Sequence, residues 1–254
     1  MKKNASITQY QFGFSDIHYR EVRDSHRRSQ KAKKIARVLC SYYKYDTEFK
    51  KVLDIGSSTG FITKELSRHF LNVTGIDIDE KAIKFAKKKN SNINIRYLKQ
   101  DCQDLKNFKD NSFDAIVCAH IYEHVYSPEK MMSEIYRVLK KDGVCYFAAG
   151  NKFRLVEGHY NILFLSLVPK FLSNWIVKRY FGREYFENHM FYWQLKRLVN
   201  KFKVTDYTKK IIARPEKYFA QEMLSRGTIK QEMALKLSSM LYCVIPTYIW
   251  LLKK

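Results

Sequence analysis

The chain has 254 residues, 46% of them hydrophobic, and a formal net charge of +22. That length suits one large domain, or one domain with a cap, and that apolar fraction can fill a core. Its five cysteines (Cys40, Cys102, Cys118, Cys145 and Cys243) are scattered and form no CxxC pair, which argues against a disulfide framework or zinc cluster and for a reducing, cytoplasmic setting.

The opening MKKNASITQY has no apolar run behind its lysines, so it does not read as a secretory signal. The positive charge is uneven: +7 over residues 1–50, +3 over 51–150 and +12 over 151–254. Basic flanks around a nearly balanced centre suit anionic lipid headgroups or phosphates. Solvated lysines with no partner are the alternative. His18 to Tyr45 reads as a long basic helix, with Val22, Ile35, Val38, Leu39 and Tyr42 on a packed face and RRSQKAKK on the wet one. Such a helix either covers a ligand site or caps a sheet.

Lys51 to Thr63 (KVLDIGSSTGFIT) is a short buried strand, a small-residue turn from Gly56 to Gly60, and the start of a helix running to about Phe70. A strand feeding a helix through a tight turn leaves backbone N–H groups free at the helix start, and glycines there let a ligand approach the main chain. This predicts a nucleotide-like ligand at the first βα turn of an α/β sheet. The dinucleotide fingerprint asks for glycine at positions one, three and six, where this chain has Gly56, Ser58 and Phe61. Asn72 to Ile78 is a second strand, with Asp79 as N-cap of a helix from Glu80 to Lys89. Asp77, about twenty residues past the glycine turn, is placed to accept from two ribose hydroxyls. Ile93 to Leu98 and Ser112 to Cys118 are two further strands. Ser127-Pro128 starts a helix through Lys140, with Pro128 at a first-turn position, and Asp142-Gly143 turns into a strand from Val144 to Ala149. Strands and helices alternating with short connections mean a doubly wound, mostly parallel sheet.

VLDIGSSTG, TGIDID, KQD, SFDAIV and EHVYSPEKMMSEIYRVLKKDG together resemble the class I S-adenosylmethionine (SAM) methyltransferases, in particular the type 11 group that includes ubiquinone-biosynthesis O-methyltransferases. The resemblance covers Lys51 to Ala149 and implies a Rossmann-like, seven-stranded α/β fold. It implies SAM as cofactor, held by Asp54, Gly56, Ser58, Gly60, Asp77, Ile78, Asp101, Cys102 and Ala119, with Asp101 receiving the adenine amine. Ser58 departs from the family's middle glycine. After the fourth strand, AHIYEHV places His120, Glu123 and His124 within one helical turn. They are the candidates for a base or substrate-orienting role. The resembled enzymes carry Glu-x-x-Glu-His here and can bind a divalent cation. His120 stands where their first Glu would be, which leaves metal ligation by His120, Glu123 and His124 open. His159 and His189 are next in line for the chemistry.

The expected organisation is an N-terminal helical cap (1–50), a SAM-binding core (51–150), an apolar lid (151–188), the end of the core sheet (189–214) and a C-terminal helix with an apolar tail (215–254). In the lid, Tyr160 to Phe181 is apolar, broken at Pro169 and too interrupted to span a bilayer. It reads as a pocket cover or an interfacial pair of helices. Lys203 to Ile212 reads as the last strand or a hairpin, and Glu216 to Ser239 as one helix weakened at Gly227. Met240 to Leu252, closed by two lysines, reads as a membrane-surface anchor or a segment docked on the lid. The leading expectation is methylation of a hydroxyl on a small, hydrophobic or lipid-linked acceptor, at an anionic membrane surface facing the cytoplasm. A nucleic-acid methyltransferase is the second reading, prompted by the charge but lacking a (Asp/Asn)-Pro-Pro-(Tyr/Phe) stretch after strand four. A non-catalytic SAM-binding membrane adaptor is the third. Oligomeric state is not legible.

Overall fold

A computed structural model describes residues 25–254. The first helix, α1, is Ser25–Tyr42, and the part expected from His18 up to it lies outside the described residues. Ala32, Ile35, Ala36 and Leu39 recur at helical spacing and are buried against the sheet. Then follow β1 (Lys51–Ile55), α2 (Phe61–Leu66), β2 (Asn72–Asp77), α3 (Glu80–Lys89), β3 (Ile95–Lys99) and β4 (Phe113–Ala119). After these come α4 (Pro128–Val138) and β5 (Leu139–Gly150). The boundaries have local causes. The Asp79 carboxylate accepts from the Lys81 and Ala82 amides and caps α3, and Ser127 caps α4 through the Lys130 amide, with Pro128 in the first turn.

The remaining α-helices and strands among the described residues are α5 (Lys170–Phe181), α6 (Tyr192–Leu198), β6 (Lys203–Asp206), α7 (Thr208–Ala213), α8 (Ile229–Met240) and β7 (Thr247–Lys253). The seven strands form one sheet in the order β3-β2-β1-β4-β5-β7-β6. β1 to β5 pair in parallel, whereas β7 runs antiparallel to both β5 and β6. One sheet face packs on α4 and α6 through Met131, Ile135, Val138, Leu195 and Val199. The other packs on α1 and α7 through Ile35, Leu39 and Ile211.

The C-terminal half departs from the sequence reading. The tail is neither a membrane anchor nor a segment docked on the lid. Its second half, Thr247–Lys253, is β7, inserted between β5 and β6 with Tyr248, Trp250, Leu251 and Leu252 all buried, whereas Met240 and Leu241 at its start are exposed. An apolar, aromatic-rich run of this length suits either a bilayer surface or a buried strand, and two open sheet edges decide for the strand. Lys203–Asp206 is the outer strand, and Thr208–Ala213, expected to continue it, is helical. The expected helix from Glu216 to Ser239 is a single 3-10 turn at Glu216–Tyr218 and, after Gly227 at φ +74°, helix α8. The lid holds one helix, α5, rather than two. Among the described residues no helix is long and apolar enough to cross a membrane.

Because Trp250 is a fully enclosed member of the central sheet, Trp250→Ala is expected to cost about 3–5 kcal/mol of folding stability. Urea denaturation measures this directly. A loss below about 0.5 kcal/mol, the range of exposed positions, would mean that the C-terminal strand lies outside the core.

Candidate active site

Parallel pairing brings the carboxyl ends of β1 to β4 to one edge of the sheet, and a cavity of about 370 Å³ opens there. The strand-to-helix turn after β1 forms its floor. Gly56 and Gly60 adopt φ +69° and +85°, and Ser58 adopts +49°. The left-handed conformation explains why glycine is the usual occupant of the middle position, and the serine tolerates it at a cost of about 1–2 kcal/mol. The glycines serve the protein's own packing. A Cβ on Gly56 would run into the Ile121 side chain, and one on Gly60 into the Tyr97 hydroxyl. Gly56 and Ser58 line the cavity, whereas Gly60 lies behind them against Tyr97.

Asp77 ends β2 and holds the turn in place. Its Oδ2 accepts from the Ser58 amide at 2.8 Å and its Oδ1 from the Asp79 amide at 2.9 Å. Each oxygen keeps a further lone pair for a ligand. Burial raises its pKa to about 6, against those two amide hydrogen bonds. Ile78, Asp101, Cys102 and Ala119 also line the cavity. Asp101 is partly occupied, its Oδ1 accepting from the Gln103 amide at 2.8 Å.

Asp54 does not reach the cavity wall. It is buried behind the turn, where Oδ2 accepts from the Thr63 hydroxyl at 2.6 Å and Oδ1 has no partner. Burial raises its pKa to about 7, with Thr63 and Lys31 pulling the other way. Three cavity residues that sequence reasoning missed as ligand-facing are Arg27, Arg28 and Lys31 of α1. Their only signal was the basic stretch assigned to the wet face. The two roles offered as alternatives for this helix are combined: its first turns line the cavity and its later turns pack on the sheet. Burial and the neighbouring Arg28 lower the Lys31 pKa to about 8.

The His120–His124 segment closes the cavity on the β4 side. His120 sits at φ +62° and lines the cavity with His124, whereas Glu123 is buried behind them. His120 Nδ1 lies 3.3 Å from Glu123 Oε1. A carboxylate only accepts, so Nδ1 carries the proton and Nε2 is the free lone pair. Burial lowers the pKa of His120, with the Glu123 hydrogen bond opposing it, and burial takes His124 down to about 3. Burial also penalises the Glu123 carboxylate, but the His120 hydrogen bond and the fields of His120 and His124 outweigh it and hold the carboxyl at about 2.

Beneath the lid lies a second buried layer that the sequence did not reveal as one. His189 and Glu157 are 3.6 Å apart and buried, away from the cavity lining. His159 lines the cavity and stacks edge-on against His124 at 5.2 Å between ring centres. His120, Glu123 and His124 do not come together as a metal-ligating group. Among the described residues, the group whose ligand atoms converge is His124, His159 and Glu187. His120 and Glu123 are instead turned to each other.

Residues 53–147 match the methyltransferase-domain family. The chain is 33% identical over 131 residues to the ubiquinone biosynthesis O-methyltransferase of Coxiella burnetii, an alignment covering 48% of this chain and 53% of that protein. It is 27% identical over 129 residues to the enzyme of the same name from Pseudomonas savastanoi pv. phaseolicola, covering 48% and 54%. The chain thus spans about half the length of the curated relatives it matches. In three dimensions it resembles the plantazolicin methyltransferase BamL, solved with a triazolic desmethylPZN analogue and SAH. The TM-score is 0.61 at 19% identity, over 96% of this chain and 93% of that one. A SAM-dependent methyltransferase from Archaeoglobus fulgidus gives a TM-score of 0.52 at 18% identity, over 87% and 94%. At these identities the structural likeness establishes the fold.

The buried Asp54 carries a pH signature. Its folded pKa of about 7 exceeds the unfolded value of about 3.9, so the folded state retains a proton that the unfolded chain has already released. This group's contribution to stability therefore falls as pH rises from about 4 to about 7 and is level above that. Asp54→Asn is expected to remove that fall. Urea midpoints across this range check it, and parallel wild-type and variant profiles would show that Asp54 does not titrate there.

Proposed function

We propose, for a chain whose residues 53–147 match the methyltransferase-domain family, that it transfers the methyl group of SAM to a hydroxyl of a small, hydrophobic or lipid-linked acceptor. The observation that carries this reading is one cavity running from the strand-end carboxylates Asp77 and Asp101 to the imidazole of His120. Those residues fit the cofactor. Asp77 has lone pairs to spare for the ribose hydroxyls, Asp101 takes the adenine amine, and Ile78 and Cys102 supply apolar walls for the base. Gly56, Ser58 and Ala119 keep that wall low. Asp54, with no partner on Oδ1 and a pKa raised to about 7 by burial, becomes a carboxylate behind the turn when a ligand bearing an ammonium and a sulfonium draws its proton off. Bound SAM supplies an electrophilic methyl carbon.

The chain's own residues then align and deprotonate. In-line methyl transfer gains most from holding the acceptor oxygen in place. His120, neutral at pH 7 and lining the cavity, accepts the hydroxyl proton on Nε2, the nitrogen not engaged with Glu123. Glu123 fixes the tautomer and stabilises the imidazolium that results. The apolar lid supports a hydrophobic acceptor. Phe171, Trp175 and Tyr180 on α5 are 77%, 61% and 73% exposed, beside Lys178 and Arg179. Aromatic side chains flanked by cations suit the surface of an anionic bilayer from which a lipid-linked acceptor is drawn. With the tail buried in the sheet, that contact rests on the lid alone.

Incubation with methyl-labelled SAM and separate lipid, small-metabolite and RNA fractions tests the acceptor class. The lipid fraction, or the apolar part of the metabolite fraction, is expected to take label. Asp77→Ala should weaken SAM binding at least about tenfold, from the loss of charge-assisted hydrogen bonds of about 1.5–3 kcal/mol each. Label entering RNA would favour the nucleic-acid reading, and no label in any fraction the non-catalytic one.

The base has its own pH signature. Because the pKa of His120 is lowered, the acid limb of kcat/KM is expected below the ordinary imidazole value of about 6.5. Glu123 pulls that pKa up, so Glu123→Gln should move the limb lower still. His120→Ala should slow the chemical step roughly 10²–10⁴-fold with SAM affinity retained. An unchanged chemical step in folded His120→Ala would transfer the role to His124 or His159.

A further inference from the structure

We propose that His124, His159 and Glu187 form a site for one divalent transition-metal ion of the zinc type, joining the segment after β4 to the lid. Each residue offers one ligand atom, and the three atoms lie within 4.8 Å of one another. They come from three separate stretches of chain: the 3-10 turn Tyr122–His124, the irregular segment after β5, and the segment following α5. Glu187 is buried and both imidazoles are half-buried. A solvated surface cluster would not have this shelter.

The surrounding hydrogen bonds hold the three backbones where ligation needs them. Glu157 Oε2 accepts from the amides of His159 at 2.6 Å and Tyr160 at 2.9 Å. Lys170 Nζ donates to the Glu187 carbonyl at 3.0 Å, and the Asn188 amide donates to the Glu123 carbonyl at 2.9 Å. These bonds fix the main chain from which the ligating side chains extend.

The donor set selects the ion. Two imidazoles and one carboxylate suit Zn²⁺ and its neighbours, whereas Mg²⁺ and Ca²⁺ prefer all-oxygen sites. Bonds of about 2.0–2.1 Å place tetrahedral ligand atoms roughly 3.3 Å apart, so the three side chains close in by about 1.5 Å at most, within reach of small rotamer changes. Three protein ligands leave a fourth position open. His124 and His159 both line the cavity, so that position faces the space proposed for the acceptor. An ion here both pins the lid and presents a Lewis-acidic face to an acceptor oxygen. The site does not depend on the acceptor's identity, and it differs from His120, Glu123 and His124 by drawing two ligands from the lid.

The test uses the full chain after chelator treatment, titrated with Zn²⁺ by calorimetry and with Co²⁺ by visible absorption, with methyl transfer measured separately. One equivalent is expected to bind, with the intense ligand-field bands of low-coordinate Co²⁺. His159→Ala and the near-isosteric Glu187→Gln should each weaken binding at least about tenfold, and His120→Ala should leave it within about twofold. Circular dichroism of each variant confirms folding, and Glu187→Gln remains decisive if His159→Ala does not fold. No saturable binding by the wild type, binding indifferent to Glu187→Gln, or an equal loss in His120→Ala would each overturn the site.

Discussion

Parallel strand pairing is the constraint on which the rest depends. When β1, β2, β3 and β4 all run the same way, their carboxyl ends share one edge, and every loop leaving them is delivered to the same place. That is how Asp77, Asp101 and His120, far apart in the chain, come to line one cavity. The turn after β1 is then locked by the Asp77 carboxylate through the Ser58 amide. One side chain thus orders the floor of the site and keeps acceptor capacity for a ligand.

The site is expensive in electrostatic terms. Asp54, Glu123, Glu157 and Glu187 are all buried, as is His189. Burial shifts each shifted imidazole toward neutrality and pushes Asp54 toward protonation. Such groups persist where function needs them, because a hydrophobic replacement would pack as well without the desolvation cost. Four of the five, Glu123, Glu157, Glu187 and His189, gather between the segment after β4 and the lid, where the proposed chemistry is placed. The opposite edge of the sheet, toward β6, carries no comparable cluster among the described residues.

The lid has a divided character. Tyr160, Leu165, Val177 and Tyr185 make a small core of its own, while Phe171, Trp175 and Tyr180 point outward. The inner group supports the buried polar layer. The outer group is an exposed apolar surface on a strongly basic chain, the feature on which the proposed membrane contact rests.

What the sequence by itself determined was local. The Gly56–Gly60 turn, the Asp79 and Ser127 caps, the acids closing β2 and β3, and the order of strands and helices through β5 are all encoded within a few residues of where they act. Backbone conformation and first-turn hydrogen bonds depend on near neighbours, so they are legible there. Three features were decided only by the tertiary structure. The apolar run at the C-terminus suited a bilayer surface as well as a strand, and the gap between β5 and β6 settled it. The basic face of α1 read as solvated, yet its first turns lie over the cavity. His159 and Glu187 carried no motif, because their meaning lies in meeting His124 across long stretches of chain. Hydrophobicity and charge state what a segment can do, and packing against distant residues selects which of those things it does.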